Sequence, residues 1–428
     1  MRIVQLIPGT GNFYCGQCLR DHALARALRA QGHEVVLAPM YLPLVLESDP
    51  DGDSEPLFFG GINVYLQQKL ALFGRTPRWL DRCLDARWLL RWAANRMGMT
   101  RASDLGDMTV SMLSGESGRQ VKELNRLTAW LADKPRPDAI CLSTGLLAGL
   151  AGPLKLHVGA PVVCSLQGED AFLDTLPDSH RDLAWSMLAE RASDVDAFVA
   201  VSRYYGDLMS KRLNLPAQKL RVIHNGIELD ELEPATAPPQ RPALGFLARM
   251  CAGKGLKTLV EAFILLRQRP STLNLTLRIA GAATREDEPF LNLLRQQLQA
   301  AGLLAEVEFL ANIDRSQKAS FLRSLSVLST PATYGEAFGL YVLEALACGV
   351  PVVQPRHGAF PEVLAITGGG VLCAPDSAAA LADAIESVLN DEPRARSEAA
   401  RARTVVLERF SAARMARDVA ELCTDLAC

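Results

Sequence analysis

"MRIVQLIPGTGNFYCGQCLRDHALARALRAQGHEVVLA", Met1 to Ala38, alternates two kinds of pattern. Arg2 to Ile7 reads as a buried strand, Gly16 to Gln31 as a helix, and Glu34 to Ala38 as a second strand. Gly9, Gly11 and Gly16 fall between the first strand and the helix, where small residues let a ligand approach the backbone closely. The order strand, Gly-rich turn, helix, strand is the opening of a doubly wound α/β domain.

The same alternation continues along the chain. Short apolar runs bounded by Gly, Pro or polar residues predict strands at Ala139 to Leu142, Val162 to Leu166, Ala197 to Val201 and Arg221 to His224. Then "EPATAPPQRP" places four prolines between Pro234 and Pro242, a density that favours extended linker over helix or central strand. The expected organisation is a first domain over 1–226 with a helical insertion at about 69–130, a Pro-rich linker over 227–242, and a second domain over 243–405. The second domain restarts the alternation, with strands at Ala243 to Leu247, Leu275 to Ala280, Val307 to Leu310, Val327 to Ser329, Val352-Val353 and Gly370 to Cys373. The tail over 406–428 reads as terminal helix, expected to pack back on the first domain.

Composition agrees with two α/β domains. A chain of 428 residues exceeds one ordinary core. With 49% hydrophobic and 22% charged residues and a net charge of −3, it is globular and has no general affinity for a polyanion, so nucleic acid is not an expected partner. The first apolar run ends at Pro8, too short for a signal peptide, and no stretch reaches 18 uninterrupted apolar residues, so a cytoplasmic location is expected. Ten cysteines are scattered, and Cys141, Cys164, Cys348 and Cys373 fall in apparent core segments, which suits reduced thiols better than a disulfide framework.

Residues 69–101 differ, with eight Lys or Arg against two Asp and with Trp79, Trp88 and Trp92. A basic, Trp-bearing helix can lie on an anionic membrane surface. At about 100° per residue, however, Arg78, Arg82 and Arg96 share a side while Arg87 and Arg91 fall nearly opposite. A structural insertion is the favoured reading, and peripheral contact with the inner face of a membrane is the alternative.

The chemistry is concentrated in "PATYGEAFGLYVLEALACGVPVVQPRHGAFPEVL", Pro331 to Leu364. Glu336 and Glu344 stand eight residues apart across a Gly-containing turn and an apolar run that reads as helix. Eight helical residues return to within roughly 80° of the starting azimuth, so both acids are expected to face one long ligand. In "LGFLARMCAGKGL", Arg249 and Lys254 sit at the exit of a strand, where doubly wound sheets bind ligands. Two cations before a helix N-terminus suit a diphosphate; the plainer alternative is a pair of solvated surface cations. A carboxylate would be repelled by that diphosphate, so Glu336 is expected to accept hydrogen bonds from sugar hydroxyls and Glu344 from a ribose. Backbone N–H groups at Phe338, Gly339 and Leu340 are placed to hold phosphate or sugar oxygens. A nucleotide sugar carries its groups in this order.

Together these segments resemble the retaining glycosyltransferases of family 4, which have the GT-B fold. The resemblance rests on Glu, seven residues, Glu in "EAFGLYVLE", on the Arg and Lys five apart in "RMCAGK", and on the Pro-Glu turn in "FPEVL". "VIHNGIELDEL", which holds Asn225, is similar to the family's Asn-Gly segment, and the Gly-rich opening with its "GHEV" return is similar to the family's first turn. Residues 40–130 match least. The resemblance implies two Rossmann-like domains facing across a cleft. It implies a nucleoside diphosphate sugar held mainly by the second domain, and a glycan, lipid or small-molecule acceptor held mainly by the first. Arg249 and Lys254 would act on the diphosphate, Glu336 on the sugar and Glu344 on the ribose. Base choice would fall to loops near Gly281 and Leu310 to Asn312, while Gly11 and Gly16 would touch the acceptor or the donor phosphate. Transfer would keep the anomeric configuration without a protein nucleophile, a metal or another cofactor.

One position departs from the family. Where many members carry His before a Gly, "SLQGED" has Gln167, which hydrogen-bonds to a sugar but does not titrate, leaving Asp170 as a secondary candidate. Cys15-x-x-Cys18 with His22 nearby lacks a second pair at zinc-finger spacing. The acidic run "SDPDGDSE" has Ser54 where a calcium loop needs Gly and Gly60 where it needs Glu, so no metal site is expected. Two alternatives remain: a GT-B sugar-nucleotide epimerase or sugar-phosphate synthase, and a non-catalytic nucleotide-sugar-binding subunit.

Overall fold

In the computed structural model the described residues are 1–8, 16–40 and 102–427. Gly9, Gly11, Cys15, the acidic run and the basic, Trp-bearing segment at 69–101 lie outside them. The first sheet comprises β1 Arg2–Ile7, β2 Glu34–Pro39, β3 Ala139–Leu142, β4 Val162–Leu166, β5 Ala197–Ala200 and β6 Leu220–Val222, all parallel, in the order β2-β1-β3-β4-β5-β6. Parallel strands are covered on both faces, which is why β1, β3, β4 and β5 are near-continuous apolar runs rather than alternating ones. The helices of this part are α1 Gly16–Ala30, α2 Ala102–Leu113, α3 Val121–Ala132, α4 Ala151–Val158, α5 Glu169–Leu173, α6 Asp178–Arg191 and α7 Arg203–Leu213. Local chemistry sets their ends: Ser202 Oγ accepts from Tyr205 N at 3.1 Å to start α7, and Asn214, at φ +50°, stops it in the left-handed conformation.

The second sheet comprises β7 Ala243–Leu247, β8 Thr276–Gly281, β9 Val307–Ala311, β10 Val327–Leu328, β11 Val352–Pro355 and β12 Gly370–Cys373, again all parallel, in the order β12-β11-β10-β7-β8-β9. Its helices are α8 Leu256–Leu266, α9 Glu288–Ala300, α10 Arg315–Arg323, α11 Leu340–Ala347, α12 Phe360–Thr367, α13 Ala378–Asn390 and α14 Glu392–Arg409, followed by α15 Ala412–Ala427. Leu244, Phe246, Phe263, Ile279, Leu294 and Val353 meet in its core. In each sheet the winding reverses beside the first strand, between β1 and β3 and between β7 and β10. A crevice opens at the carboxyl ends of the strands at such a reversal.

The chain divides into two compact units, Met1–His224 with Met415–Cys428, and Asn225–Arg414. The Pro-rich stretch expected as a linker over 227–242 therefore belongs to the second unit. The reason is local hydrogen bonding: Ile227 N donates to Phe410 O at 2.8 Å, Ala412 N donates to Ile227 O at 2.9 Å, and Glu233 pairs with Arg403 at 2.5 Å. Proline density marks extended chain here, and the division falls ahead of it at 224/225. Within the first unit Met415, Ala416, Val419 and Cys423 of α15 join Ile3, Leu24, Leu28 and Val35 in one core.

Candidate active site

Lys254 and Glu336 come from the loops that follow β7 and β10, on either side of the winding reversal. The two loops are stitched together, because Thr333 N donates to Gly253 O at 3.0 Å. Gly255, at φ +75°, makes the approach possible: a Cβ there would lie 1.7 Å from Pro331 O, which no side chain tolerates. The consequence is an ion pair between Lys254 Nζ and Glu336 Oε2 at 2.5 Å, with side chains 20% and 13% exposed. Tyr341 OH donates to the same Glu336 oxygen at 3.1 Å, and the Tyr334 ring centre lies 5.0 Å from Lys254 Nζ. The "HGAFPE" turn closes on the backbone of Glu336, whose carbonyl accepts from Ala359 N at 2.9 Å. A Cβ on Gly358 would stand 2.7 Å from Glu336 N, so only glycine lets that turn approach.

The electrostatics follow from this packing. Burial alone would lower the Lys254 pKa, but the Glu336 carboxylate and the Tyr334 hydroxyl outweigh it, and the pKa is raised above the ordinary lysine value. Burial and then the Glu336 charge push the Tyr334 phenol up to about 12, and the same two causes raise Tyr341.

The two acids do not share a helix face. α11 begins at Leu340, after Gly339 at φ +83°, so Glu336 precedes the helix and the roughly 80° estimate does not apply to it. Glu344 instead pairs with Lys318 of α10 at 2.5 Å, the two side chains being 14% and 9% exposed. Nothing in the "DRSQKASFLR" pattern marks Lys318; its helix is recognisable only by the Asp314 and Gln317 capping box. Arg249, which is 52% exposed, stands 3.3 Å from Asp287 Oδ1, while Asp287 Oδ2 accepts from Thr284 N and Oγ1 at 2.9 and 2.7 Å. Asp287 was not singled out by the sequence reading.

The remaining expected positions are spread between the units. The Phe338 side chain is core, with its ring 6.1 Å from that of Phe410. Gly339 has no side chain to cap α11, which begins at Leu340, and in its first turn Val342 N donates to Gly339 O at 3.0 Å. Gly281 ends β8 with its carbonyl accepting from Asn312 N at 2.8 Å, and Asn225 is buried at the first position of the second unit. In the first unit Gly16 is the exposed first residue of α1, and Gln167 Nε2 donates to Ser143 O at 3.2 Å. The acid that organises the Gln167 loop is Glu169 rather than Asp170. Glu169 is 3% exposed and accepts from Thr144 Oγ1, Gly145 N, Gln167 N and Tyr205 OH at 2.8 to 2.9 Å.

Among the described residues no group of three or more His, Cys, Asp or Glu is arranged to hold a metal ion. No helix among them is long and apolar enough to cross a membrane.

Residues 230–405 match the family model described as "Glycosyl transferases group 1", and residues 108–231 match that described as "Glycosyltransferase Family 4". The chain is 26% identical over 395 residues to a glycogen synthase of Mycobacterium tuberculosis, covering 89% of this chain and 84% of the relative. It is 36% identical over 193 residues to a phosphatidyl-myo-inositol mannosyltransferase of Mycobacterium leprae, covering 43% of this chain and 48% of the relative. Among solved structures, a sucrose-phosphate synthase from Thermosynechococcus elongatus superposes with a TM-score of 0.74 at 20% identity, over 99% of this chain and 98% of that one. Anabaena HepE, solved in complex with UDP and glucose, gives 0.69 at 18% identity over 100% of both chains. With the two family models accounting between them for residues 108–405, the chain belongs to the group 1, family 4 glycosyltransferases and has their GT-B fold.

Proposed function

We propose that this protein is a retaining glycosyltransferase that moves a sugar from a nucleoside diphosphate sugar to an acceptor hydroxyl. The observation that carries the reading is the Lys254 and Glu336 pair at the β7/β10 reversal, a cation and a carboxylate fixed within 2.5 Å of each other. HepE, of the same fold, was solved with UDP and glucose, and a relative 29% identical over 264 residues, from Mycolicibacterium smegmatis, is a GDP-mannose-dependent mannosyltransferase. Both names support a nucleotide-sugar donor.

In this mechanism the donor diphosphate takes Lys254 away from Glu336 and engages Arg249 beside it. Freed of the ammonium, Glu336 accepts hydrogen bonds from the sugar hydroxyls, held in place by Tyr341. The bond from the anomeric carbon to the leaving phosphate oxygen breaks, the acceptor oxygen bonds to that carbon on the same face, and its proton passes to the departing phosphate. No side chain acts as nucleophile or base, so Gln167 in place of His is compatible with turnover. The protein supplies preorganised positive charge on the departing diphosphate. A metal ion has no assigned part in these steps.

Thermal stabilisation by UDP, GDP and ADP sugars identifies the donor, since a ligand bound only by the folded state raises its stability. Turnover of that donor with an acceptor panel then tests the reaction. A glycoside with retained anomeric configuration is expected. Free nucleoside diphosphate without a glycoside, or an inverted product, defeats the proposal.

A further inference from the structure

Asp287 ends the loop between β8 and α9 and stands at the N-cap of α9, where an Asp side chain ordinarily accepts from an N–H of the helix's first turn. It makes no such bond. The carboxylate turns back into its own loop, where Oδ2 accepts from Thr284 N at 2.9 Å and from Thr284 Oγ1 at 2.7 Å, and across to Arg249, whose Nη2 lies 3.3 Å from Oδ1. Helix capping therefore does not account for this buried acid. Its partners are one turn of its own loop and one cation of the donor site.

The backbone around Arg249 is fixed against the same loop. Ala248 N donates to Ala280 O at 3.2 Å, and Met250 N donates to Ala282 O at 2.8 Å. Gly281, at φ +140°, lets the two chains come this close, since a Cβ there would lie 1.8 Å from Ala248 O. The guanidinium is held by Nη2 alone: among the described residues nothing accepts from its Nε or Nη1. A guanidinium spreads its N–H donors around a rigid plane, so one edge stays on a carboxylate while another takes a phosphate oxygen. An ammonium is a point charge without such edges. Lys254 has to leave Glu336 in the mechanism above, whereas Arg249 keeps Asp287.

We infer that Asp287 is a positioning residue of the donor site, holding Arg249 by one terminal nitrogen so that its other N–H groups are preset for the diphosphate. The inference rests on the glycosyltransferase reading above and deepens it. Without Asp287 the long, half-exposed side chain of Arg249 has to be ordered by the donor itself. Asp287 also repels a diphosphate, but the guanidinium beside it offsets that repulsion, so ordering decides the sign.

A double-mutant cycle on the full chain tests this, read by calorimetric titration with whichever of UDP, GDP and ADP stabilises the wild type most. Asp287→Asn keeps an oxygen for Thr284 but sets an amino group against Arg249, and affinity is expected to fall about 5-fold, the cost of ordering one long side chain. Arg249→Met is expected to lose at least about 10-fold, as for charge-assisted bonds to a phosphate. In the Arg249→Met background Asp287→Asn is expected to cost nothing, because a residue that acts through Arg249 has no effect once Arg249 is gone. If Asp287→Asn fails to melt cooperatively, Thr284→Val replaces it; this removes the Oγ1 bond to Asp287 and should weaken binding about 3-fold, again only when Arg249 is present. Unchanged or improved affinity on Asp287→Asn would make Asp287 a competitor of the diphosphate and overturn the inference. An equal loss in both backgrounds would assign Asp287 to the shape of its loop and overturn it too, as would wild-type affinity in Arg249→Met. If no nucleoside diphosphate binds the wild type, it is the donor reading that has failed, and the inference falls with it.

Discussion

Lys254 and Glu336, 82 residues apart in the chain, share one ion pair at 2.5 Å, and both lie where the second sheet reverses its winding. In the proposed mechanism this pair closes the site before the donor arrives and opens when it binds. Lys254→Met tests both halves of that statement. Removing the ammonium leaves a mostly buried carboxylate with Tyr341 as its remaining side-chain partner, so a stability loss of about 2–3 kcal/mol is expected in urea titration, short of the cost at a fully buried pair. Calorimetric titration with the nucleoside diphosphate that the thermal screen selects, written as UDP in these predictions, should show affinity reduced about 100-fold, the worth of charge-assisted bonds to a diphosphate. Unchanged UDP affinity would remove Lys254 from the diphosphate site.

Glu336→Gln and Tyr341→Phe separate binding from turnover. Gln keeps the shape and can still bond to a sugar hydroxyl, but it loses the charge that attracts Lys254. We expect kcat to fall at least about 100-fold with UDP affinity retained or improved, because Lys254 no longer has a competitor. Tyr341→Phe deletes a single hydrogen bond to Glu336, and a fall of about 5-fold in kcat at constant UDP affinity is expected. If Tyr341→Phe changes UDP affinity and leaves kcat alone, Tyr341 does not act through Glu336.

The same cluster makes stability sensitive to alkali. Lys254 and Tyr334 have raised pKa values in the folded chain, Tyr334 reaching about 12 from an ordinary 10.0. Above pH 10 the unfolded chain therefore releases protons that the native chain still holds, and stability falls as pH rises through the window up to 12. Below that window the Lys254 contribution is fully present. Urea midpoints from pH 8 to 11 should fall less steeply for Tyr334→Phe than for the wild type, by up to about 1.4 kcal/mol per pH unit, which corresponds to one proton. Parallel curves would show that Tyr334 is not shifted.

Much of this arrangement was legible before any coordinates. Buried parallel strands are contiguous apolar runs, so β3, β4, β7 and β12 coincide with the segments expected at 139–142, 162–166, 243–247 and 370–373. The glutamate spacing was also visible, but its geometry was not. Whether Glu336 belongs to α11 depends on the left-handed backbone of Gly339, which the apolar run after it conceals. Partners brought together by topology were equally hidden. Lys318 meets Glu344 across 26 residues, and Tyr205 meets Glu169 across 36, with no periodicity linking either pair. Proline reports extended backbone and not where that backbone attaches, and the ties of Ile227 to Phe410 and of Glu233 to Arg403 are hydrogen bonds and an ion pair that composition does not reveal.

The pair of Glu344 and Lys318 offers a test of the ribose role that is independent of turnover. With Oε1 held by Lys318, Glu344 has Oε2 to offer a ligand hydroxyl, so Lys318 positions the acid as well as neutralising it. Lys318→Met should destabilise the chain by about 3 kcal/mol, because it strands a largely buried carboxylate. Adding Glu344→Met removes that charge and fills the space with apolar volume, so the double variant should recover most of the lost stability. If Glu344 only anchors α11 to α10, the double variant will also bind UDP as the wild type does. If Glu344 takes the ribose, UDP affinity in the stable double variant should stay about 10-fold or more below wild type, while 2′,3′-dideoxy-UDP, which lacks the hydroxyls, should bind both proteins alike. Recovery of full UDP affinity with recovery of stability would assign the pair to the fold alone.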